Sequence, residues 1–273
     1  MKPARFDYER PARLADAVAL LQREDLVVKV LAGGQSLGPM LNLRLVRPGL
    51  LVDITAIPEL KRVEESADSI VIGACVTHAD IEDGRVPDIG GGALQRVARG
   101  IAYRAVRNRG TLGGSLVHAD PSADWVSTLA ALGAEVLVAG PAGRRGVPAD
   151  AFMTSVFEVD LGPGEMVEAV RIPRLSSGAR WGFHKLCRKT GEFAHAIGVV
   201  LQDPVRDVCR VVLGATESRP VVLRDARPLF PDGGRLDVEA ARRLLTASGH
   251  TDPLQNQTHL AALSRAVDKA HQP

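Results

Sequence analysis

Two short loops carry the residues of this sequence that are best suited to hold a bulky anionic ligand. Residues 30–37 are Val-Leu-Ala-Gly-Gly-Gln-Ser-Leu, and residues 109–116 are Arg-Gly-Thr-Leu-Gly-Gly-Ser-Leu. Each loop has paired glycines soon followed by a small hydroxyl residue, and an apolar run lies beside it. Glycines let the backbone approach a ligand and turn its N–H groups toward it, and hydroxyls add directional donors. Two such loops suggest a cofactor with two phosphates.

Neither loop matches a common nucleotide-binding motif. The spacing is not the dinucleotide fingerprint Gly-x-Gly-x-x-Gly, and it is not the P-loop pattern Gly-x-x-x-x-Gly-Lys-[Ser/Thr]. One such loop alone is explained by a tight turn between a strand and a helix, because glycine is a common turn residue. The second loop of matching chemistry favours a ligand.

Other residue types exclude several kinds of site and protein. The three cysteines, Cys75, Cys187 and Cys209, are far apart and form no Cys-x-x-Cys pair, so we expect small buried hydrophobes and no iron–sulfur or zinc site within this chain. A formal net charge of only +2 lacks the excess expected of a dedicated nucleic-acid binder. Charged residues near the N-terminus and the absence of a long apolar run predict a cytoplasmic protein without a signal peptide or membrane span.

The elements that position the loops alternate between helix and strand in the first half of the chain, which is typical of small α/β units. Apolar periodicity predicts, in order, helix 13–24, strand 26–32, helix 39–44, strands 50–54 and 69–74, and helix 93–99. A helix over 121–132 follows the second loop, with Asp120 as its N-cap, Pro121 at its first position and Gly133 just after its end.

The second half of the chain has a different character. Consecutive strands without helices between them, from residue 165 onward, predict an antiparallel sheet, and helices follow it. The predicted elements are strands 135–139, 166–172, 181–187, 194–201 and 208–213 and helices 238–245 and 260–270.

The two loops and their surroundings resemble the flavin-binding motifs of one family. Residues 31–44 resemble the first motif of the FAD-containing medium subunits of molybdenum hydroxylases, whose best-known members are carbon monoxide dehydrogenase and xanthine dehydrogenase. Residues 107–116, with His118-Ala119-Asp120-Pro121 and Asp124 after them, are similar to the second motif. Residues 185–194 resemble the segment beside the isoalloxazine ring.

The resemblance implies an α+β fold in three parts. A bipartite, PCMH-type FAD-binding fold made of two α/β subdomains, 1–57 and 58–175, is followed by a C-terminal antiparallel sheet with helices, 176–273. FAD is then expected to lie extended between the first two parts, with its diphosphate held by both glycine loops.

The resemblance also assigns roles to single residues. The backbones of 30–37 and 111–115 contact the diphosphate and ribityl region, and Asp124 accepts from sugar or ribityl hydroxyls unless it is only a cap or surface residue. Lys185 either reaches the flavin or is solvated, and Phe193 either stacks on the flavin or is a core aromatic of a strand. The residues expected to bind the cofactor are Val30, Leu31, Ala32, Gly33, Gly34, Gln35, Ser36, Leu37, Ile101, Thr111, Leu112, Gly113, Gly114, Ser115, Asp124, Lys185 and Phe193.

Two departures from the family pattern are visible. Family members often have Asp and then Tyr or Trp where this chain has Glu192 and Phe193. Near the C-terminus, residues 256–260 are Asn-Gln-Thr-His-Leu in place of Tyr-Arg-Arg-His-Leu, which bears on docking to a partner. For His118 we favour a positioning role in the loop, because a flavin electron relay requires no general base.

The function that the resemblance implies is electron transfer through FAD. Electrons would come from a molybdenum site on a large molybdopterin-binding subunit through iron–sulfur clusters on a small 2Fe-2S subunit, and FAD would pass them to NAD, a quinone or a protein. The assembly expected is a hetero-oligomer, a dimer of heterotrimers, whose substrate is chosen on the large subunit. The alternatives are a stand-alone FAD-dependent oxidoreductase of the same fold and a non-catalytic scaffold that keeps the glycine loops as turns.

Overall fold

Three β-sheets and a two-stranded ribbon organise residues 1–272, which the computed structural model describes. The strands are β1 (Asp7–Glu9), β2 (Val28–Leu31), β3 (Leu50–Asp53), β4 (Val63–Glu65), β5 (Ser69–Gly73), β6 (Glu135–Gly140), β7 (Gly143–Pro148), β8 (Met153–Ser155), β9 (Glu158–Val159), β10 (Met166–Pro173), β11 (Arg180–Leu186), β12 (Ala196–Asp203), β13 (Val208–Gly214) and β14 (Val221–Leu223). The α-helices are α1 (Leu14–Leu21), α2 (Leu37–Asn42), α3 (His78–Glu82), α4 (Ala93–Arg99), α5 (Arg104–Arg107), α6 (Leu112–His118), α7 (Asp124–Leu132), α8 (Ala149–Phe152), α9 (Val238–Ala247) and α10 (Pro253–Ala270). This mixture confirms the predicted α+β class.

The first sheet is parallel and presents the first glycine loop. Its strand order is β1-β3-β2, and the central strand is buried along its length, with Leu50 and Val52 packed beside Ala17 of α1. Val30 lies opposite Val52 in the β2–β3 register. Parallel neighbours need a crossover connection, which α2 supplies here. The first glycine loop therefore leaves the carboxyl end of β2, the edge at which α/β sheets bind ligands.

The second sheet is antiparallel, and helices cover one of its faces. Its strand order is β4-β5-β10-β6-β7. Ile70 and Ile72 are fully buried under α4, α6 and α7, whereas Val71 between them lies on the other face. That second face carries ion pairs, among them Arg144 with Glu168 at 2.6 Å. The alternation of apolar and polar side chains along the strands fixes which face receives the helices that carry the second loop.

The third sheet lies between two helices. Its strand order is β11-β12-β13-β14, and every residue of β12 is buried because α7 packs on one side and α10 on the other. A Cβ at Gly182 would lie 1.8 Å from the carbonyl O of Ala266, and one at Gly198 would lie 2.6 Å from the carbonyl C of Ala262. These glycines let α10 approach the sheet closely. No helix of the described chain is long and apolar enough to cross a membrane.

The start of α7 corrects one prediction. The helix begins at Asp124, and Asp120 is not its N-cap, because the chain between the two residues makes a separate turn. Asp120 Oδ1 accepts from the N–H of Ser122 at 2.8 Å, and Ala119 ends α6 in a left-handed conformation with φ of +49°. Gly133 ends α7 with φ of +68°, as predicted.

Two further helices differ from prediction, and α3, α5 and α8 lie where no helix was predicted. Residues 112–118 form α6, although the paired glycines in this segment predicted a loop. Helix α10 begins seven residues earlier than predicted, at Pro253, because the side chain of Asp252 accepts from the N–H groups of Leu254 and Gln255 and caps it.

Candidate flavin site

The two glycine loops lie against each other. A Cβ at Gly33 would lie 2.0 Å from the carbonyl O of Arg109 and 2.9 Å from the Cα of Gly110. A real Cβ does not approach backbone atoms so closely, so the second loop itself requires glycine at position 33. The structure thus brings the two motifs together, and it adds a reason for Gly33 that does not depend on a ligand.

The first loop has unused backbone donors. Among residues 1–272, no group accepts from the N–H groups of the five consecutive residues from Gly33 to Leu37. The loop turns through Gly34, whose φ is +70°, and it closes where the Gly38 N–H donates to the Gly34 carbonyl at 2.9 Å. Consecutive free N–H groups around a left-handed residue form an anion-binding concavity. This arrangement fits one part of a diphosphate.

The second loop, in contrast, uses most of its backbone donors within the protein. The N–H groups of Leu112 and Gly113 donate to the carbonyls of Val76 and Ala74, both at 3.0 Å. The Gly114 N–H donates to Thr111 Oγ1 at 3.1 Å. A Cβ at Gly113 would lie 2.6 Å from the Cβ of Ala74, so this glycine also serves packing.

What the second loop offers a ligand is therefore hydroxyl chemistry. The hydroxyls of Thr111 and Ser115 donate to no other group in the described part of the chain. The two loops thus differ, because the first has free N–H groups whereas the second has free hydroxyls, that of the buried Thr111 and that of the half-buried Ser115. The contact of both loops with a diphosphate stays a prediction.

A buried histidine that the sequence did not reveal supports the second loop. The His78 N–H donates to the Gly110 carbonyl at 2.9 Å, and its Nδ1 accepts from Trp125 Nε1 at 3.1 Å. Burial, with a smaller contribution from the Arg107 charge, lowers the pKa of His78 to about 4. The imidazole is therefore neutral near pH 7, with Nδ1 as its acceptor. One histidine without a patterned neighbour gives no signal in a single sequence.

Asp124 and Lys185 meet as a buried ion pair. Lys185 Nζ lies 3.0 Å from Oδ1 and 3.1 Å from Oδ2 of Asp124, and the two side chains are 10% and 8% exposed. Burial raises the pKa of Asp124, and the nearby ammonium opposes that rise. The interpretations of Asp124 as a cap or surface residue and of Lys185 as a solvated side chain are therefore wrong.

One oxygen of this pair still lacks a well-directed donor. The Lys185 ammonium donates to Oδ2, whereas Oδ1 accepts no hydrogen bond from the described residues, although it is within contact distance of Nζ. The ion pair holds Oδ1 at 3.0 Å but leaves it able to accept a hydrogen bond, so a ligand hydroxyl could donate to it. This observation fits the sugar or ribityl hydroxyl that the resemblance assigns to Asp124.

The third motif lies beside the segment that contains Ile101. A Cβ at Gly191 would lie 2.7 Å from the carbonyl O of Ala102, and one at Gly100 would lie 3.9 Å from the Cε of Lys185. Ile101 is half-buried and packs against the core of the second sheet. The structure therefore brings Ile101 and Lys185 to one place, next to the loop that joins β11 to β12.

Phe193 is on the surface of that loop. Its side chain is 71% exposed and lies outside any strand, so the interpretation of Phe193 as a core aromatic of a strand is wrong. The neighbouring Glu192 is held by Arg188 at 3.0 Å and faces Lys189 at 3.8 Å. An exposed aromatic ring on a loop is free to stack on a planar ligand. Its contact with a flavin stays a prediction.

The remaining expected residues occupy supporting places. Leu112 and Gly113 are fully enclosed, and Val30 and Leu31 are half-buried at the end of β2. The rest of the first loop, Ala32, Gln35, Ser36 and Leu37, lies at or near the surface. The ring of His118 lies 5.2 Å from that of Phe157, between centroids, at the end of α6.

Cys75 is the buried hydrophobe that the sequence predicted. It lies in the core beneath the first sheet, where burial raises the pKa of its thiol to about 12. Cys187 and Cys209 are half-buried instead.

A family comparison agrees with this geometry. Residues 4–175 match the model of the FAD-binding domain in molybdopterin dehydrogenase, and this span contains both glycine loops and Asp124.

Curated relatives and a solved structure extend the similarity over the whole chain. The chain is 37% identical over 225 residues to the carbon monoxide dehydrogenase medium chain of Hydrogenophaga pseudoflava, covering 82% of this chain and 78% of that one. It is 33% identical over 283 residues to caffeine dehydrogenase subunit beta of Pseudomonas sp. (strain CBB1), covering 99% and 96%. A chain of the solved carbon monoxide dehydrogenase from Hydrogenophaga pseudoflava superposes with a TM-score of 0.88 at 32% identity, covering 99% of this chain and 98% of that chain.

Proposed function

The chain belongs to the family of FAD-binding domains of molybdopterin dehydrogenases, and from this premise we propose how its residues serve a molybdenum-containing hydroxylase. Its cofactor is FAD, and it is an oxidoreductase subunit. In the proposed function, the chain holds FAD where electrons arrive from a partner subunit and leave to an external acceptor. FAD supplies chemistry that side chains lack, because it exchanges electrons singly with a cluster and in pairs with an acceptor.

The single observation that carries this proposal is the run of free N–H groups from Gly33 to Leu37 beside the second loop. In the proposal these groups hold the diphosphate, with the hydroxyls of Thr111 and Ser115 on the other side. Asp124 accepts from a sugar or ribityl hydroxyl through Oδ1, and Phe193 covers the isoalloxazine ring. The protein thus binds and orients the cofactor, and no residue of this chain moves a proton.

The proposed partners are a small 2Fe-2S subunit and a large molybdopterin-binding subunit, joined in a dimer of heterotrimers. A cluster held by thiolates takes four cysteines, and this sequence has three, far apart. We propose that the cluster is held by another chain. The matched relatives are named as a medium chain and a subunit beta, which supports an assembly of several chains. We propose the cytoplasm as the compartment.

The substrate is proposed to be chosen on the large subunit. The two relatives are named for carbon monoxide and for caffeine, although this chain is 37% and 33% identical to them. Similar medium chains thus serve enzymes of very different substrates. The external acceptor in this proposal is NAD, a quinone or a protein.

The test is a stopped-flow measurement of flavin reduction. The chain is loaded with FAD and mixed with candidate organic substrates, first alone and then with its iron–sulfur and molybdenum partners. We expect reduction only in the complete complex. Rapid reduction of the isolated chain by a small organic substrate would favour a stand-alone oxidoreductase, and a purified chain that neither retains FAD nor is stabilised by it would favour the scaffold.

A further inference from the structure

Arg107 is a buried cation whose planar head group is shared between two partners. The residue is 9% exposed and ends α5, two residues before the second glycine loop. Its Nε and Nη2 donate to the carboxylate of Glu82 at 2.7 and 3.0 Å. Its Nη1 donates to two consecutive backbone carbonyls, those of Ile101 at 2.8 Å and Ala102 at 3.0 Å. Each guanidinium nitrogen therefore has an acceptor.

The backbone that Arg107 holds has an unusual conformation. Ala102 has a φ of +41°, although it is not glycine. L-residues rarely adopt this region, so the surrounding structure has to hold it in place. The hydrogen bonds from Nη1 are the contacts that fix both carbonyls of this turn in one direction.

The third motif packs against this turn. The Ala102 carbonyl that accepts from Arg107 is the one against which Gly191 packs, and Gly191 has a φ of +90°. Gly100, at the start of the turn, faces the stem of Lys185. The turn therefore lies against the β11–β12 loop on one side and near the Lys185 side chain on the other.

We propose that Arg107 is a positioning residue for the flavin, which seats the β11–β12 loop by fixing the Ile101–Ala102 turn. This inference rests on the proposed function, since it assumes that FAD lies beside that loop. Arg107 links the second glycine loop to the third motif. In the proposal it therefore fixes the position of the motif beside the isoalloxazine ring relative to the loop beside the diphosphate. Arginine is needed because a lysine ammonium cannot bind a carboxylate at two points and two carbonyls at the same time.

A simple structural ion pair is the competing explanation, and the chain offers a matched control for it. Arg104 lies on the same short helix and contacts the same Glu82 carboxylate at 2.9 Å, but it is 47% exposed and bonds to no carbonyl of the turn. If Arg107 acted only through its ion pair with Glu82, replacing Arg107 or Arg104 would have similar effects on FAD binding. If it acts through the turn, only Arg107 affects the flavin.

The experiment compares Arg107→Lys and Arg104→Lys in the full chain. FAD dissociation constants are measured by flavin fluorescence, and hydrogen–deuterium exchange is followed without FAD at 100–103 and 187–195. We expect Arg107→Lys to weaken FAD binding on the order of tenfold, because a charge-assisted hydrogen bond to the turn is lost. We also expect faster exchange in both segments and an altered flavin absorption spectrum. Arg104→Lys should change none of these.

Wild-type FAD affinity and unchanged exchange in Arg107→Lys would overturn the proposal. Glu82→Gln is the second variant, since it weakens the ion pair but leaves both carbonyl bonds, and it should bind FAD nearly as the wild type does. If Arg107→Lys and Glu82→Gln both fail to fold by circular dichroism, Arg107 is a folding determinant and the proposal is overturned. Failure of the wild-type chain to bind FAD would instead refute the proposed function.

Discussion

Replacement of Gly33 by alanine tests whether the contact between the loops is needed for FAD binding. The new Cβ would lie 2.0 Å from the carbonyl O of Arg109. An ordinary contact is close to 3.4 Å, so the loops must separate by roughly 1.4 Å, and overpacking of this kind costs about 1–3 kcal/mol. Functional groups must be held within about 0.5 Å of the productive geometry. We therefore expect a destabilised chain and FAD binding that is about 10–100-fold weaker.

Gly38→Ala is the matched control for this variant. A Cβ at Gly38 meets no atom within 4 Å, and the residue lies inside α2. Alanine is the better helix former, so stability should rise by about 0.5–1 kcal/mol with FAD affinity unchanged. The assay is the flavin absorbance per chain after purification, together with urea denaturation of the apo form. Full FAD occupancy and wild-type affinity in Gly33→Ala would refute the requirement for close contact between the loops.

Three further predictions concern the buried and exposed side chains of the site. The lowered pKa of His78 means that the unfolded chain takes up a proton first as pH falls, so stability present above pH 6.5 should decline by up to about 3 kcal/mol toward pH 4. Denaturation curves of His78→Gln should show a shallower decline, and an equal slope would contradict the assignment. Lys185→Met should cost about 3–5 kcal/mol at pH 7 because it leaves the Asp124 carboxylate buried without its cation; adding Asp124→Asn should recover much of that loss in the same assay, and a single variant as stable as the wild type would show that the pair is not stabilising. Phe193→Tyr and Phe193→Trp should perturb flavin absorption or fluorescence without loss of FAD or stability, since the residue is exposed; an identical spectrum in both variants would place this side chain away from the ring.

Local signals in the sequence predicted most of the longer helices and strands, whereas short elements such as β1, α3 and α8 were not predicted. Gly133 ends α7 because the residue there has a left-handed conformation, which glycine adopts readily. The apolar runs of the third sheet form strands close to the predicted bounds. The boundaries 57/58 and 175/176 between the three parts stay a prediction. The predicted start of α7 at Asp120 and Pro121 was wrong, because Asp and Pro are also common in an isolated turn and no local signal distinguishes a turn from a helix start.

The site itself depended on contacts that a sequence does not display. The motifs identified the residues, but not that Asp124 and Lys185, 61 positions apart, neutralise each other. The free N–H groups of the first loop and the occupied ones of the second follow from which carbonyls lie nearby. Ala74 and Val76, which accept from the second loop, come from a segment without any motif. The residues of the site were therefore predictable, whereas the difference between the loops, free N–H groups in the first and free hydroxyls in the second, was not.

The close packing of α10 on the third sheet has a consequence for the order of events during synthesis. Strand β11 leaves the ribosome roughly 80 residues before the end of α10, a delay of roughly 4–16 s at about 5–20 residues per second. Until then one face of β11 and β12 has no cover, so the two strands that flank the third motif are not yet packed in their final form. A nascent chain can thus form both glycine loops before the third motif is seated. Cofactor capture that needs all three motifs would then follow the release of the last helix.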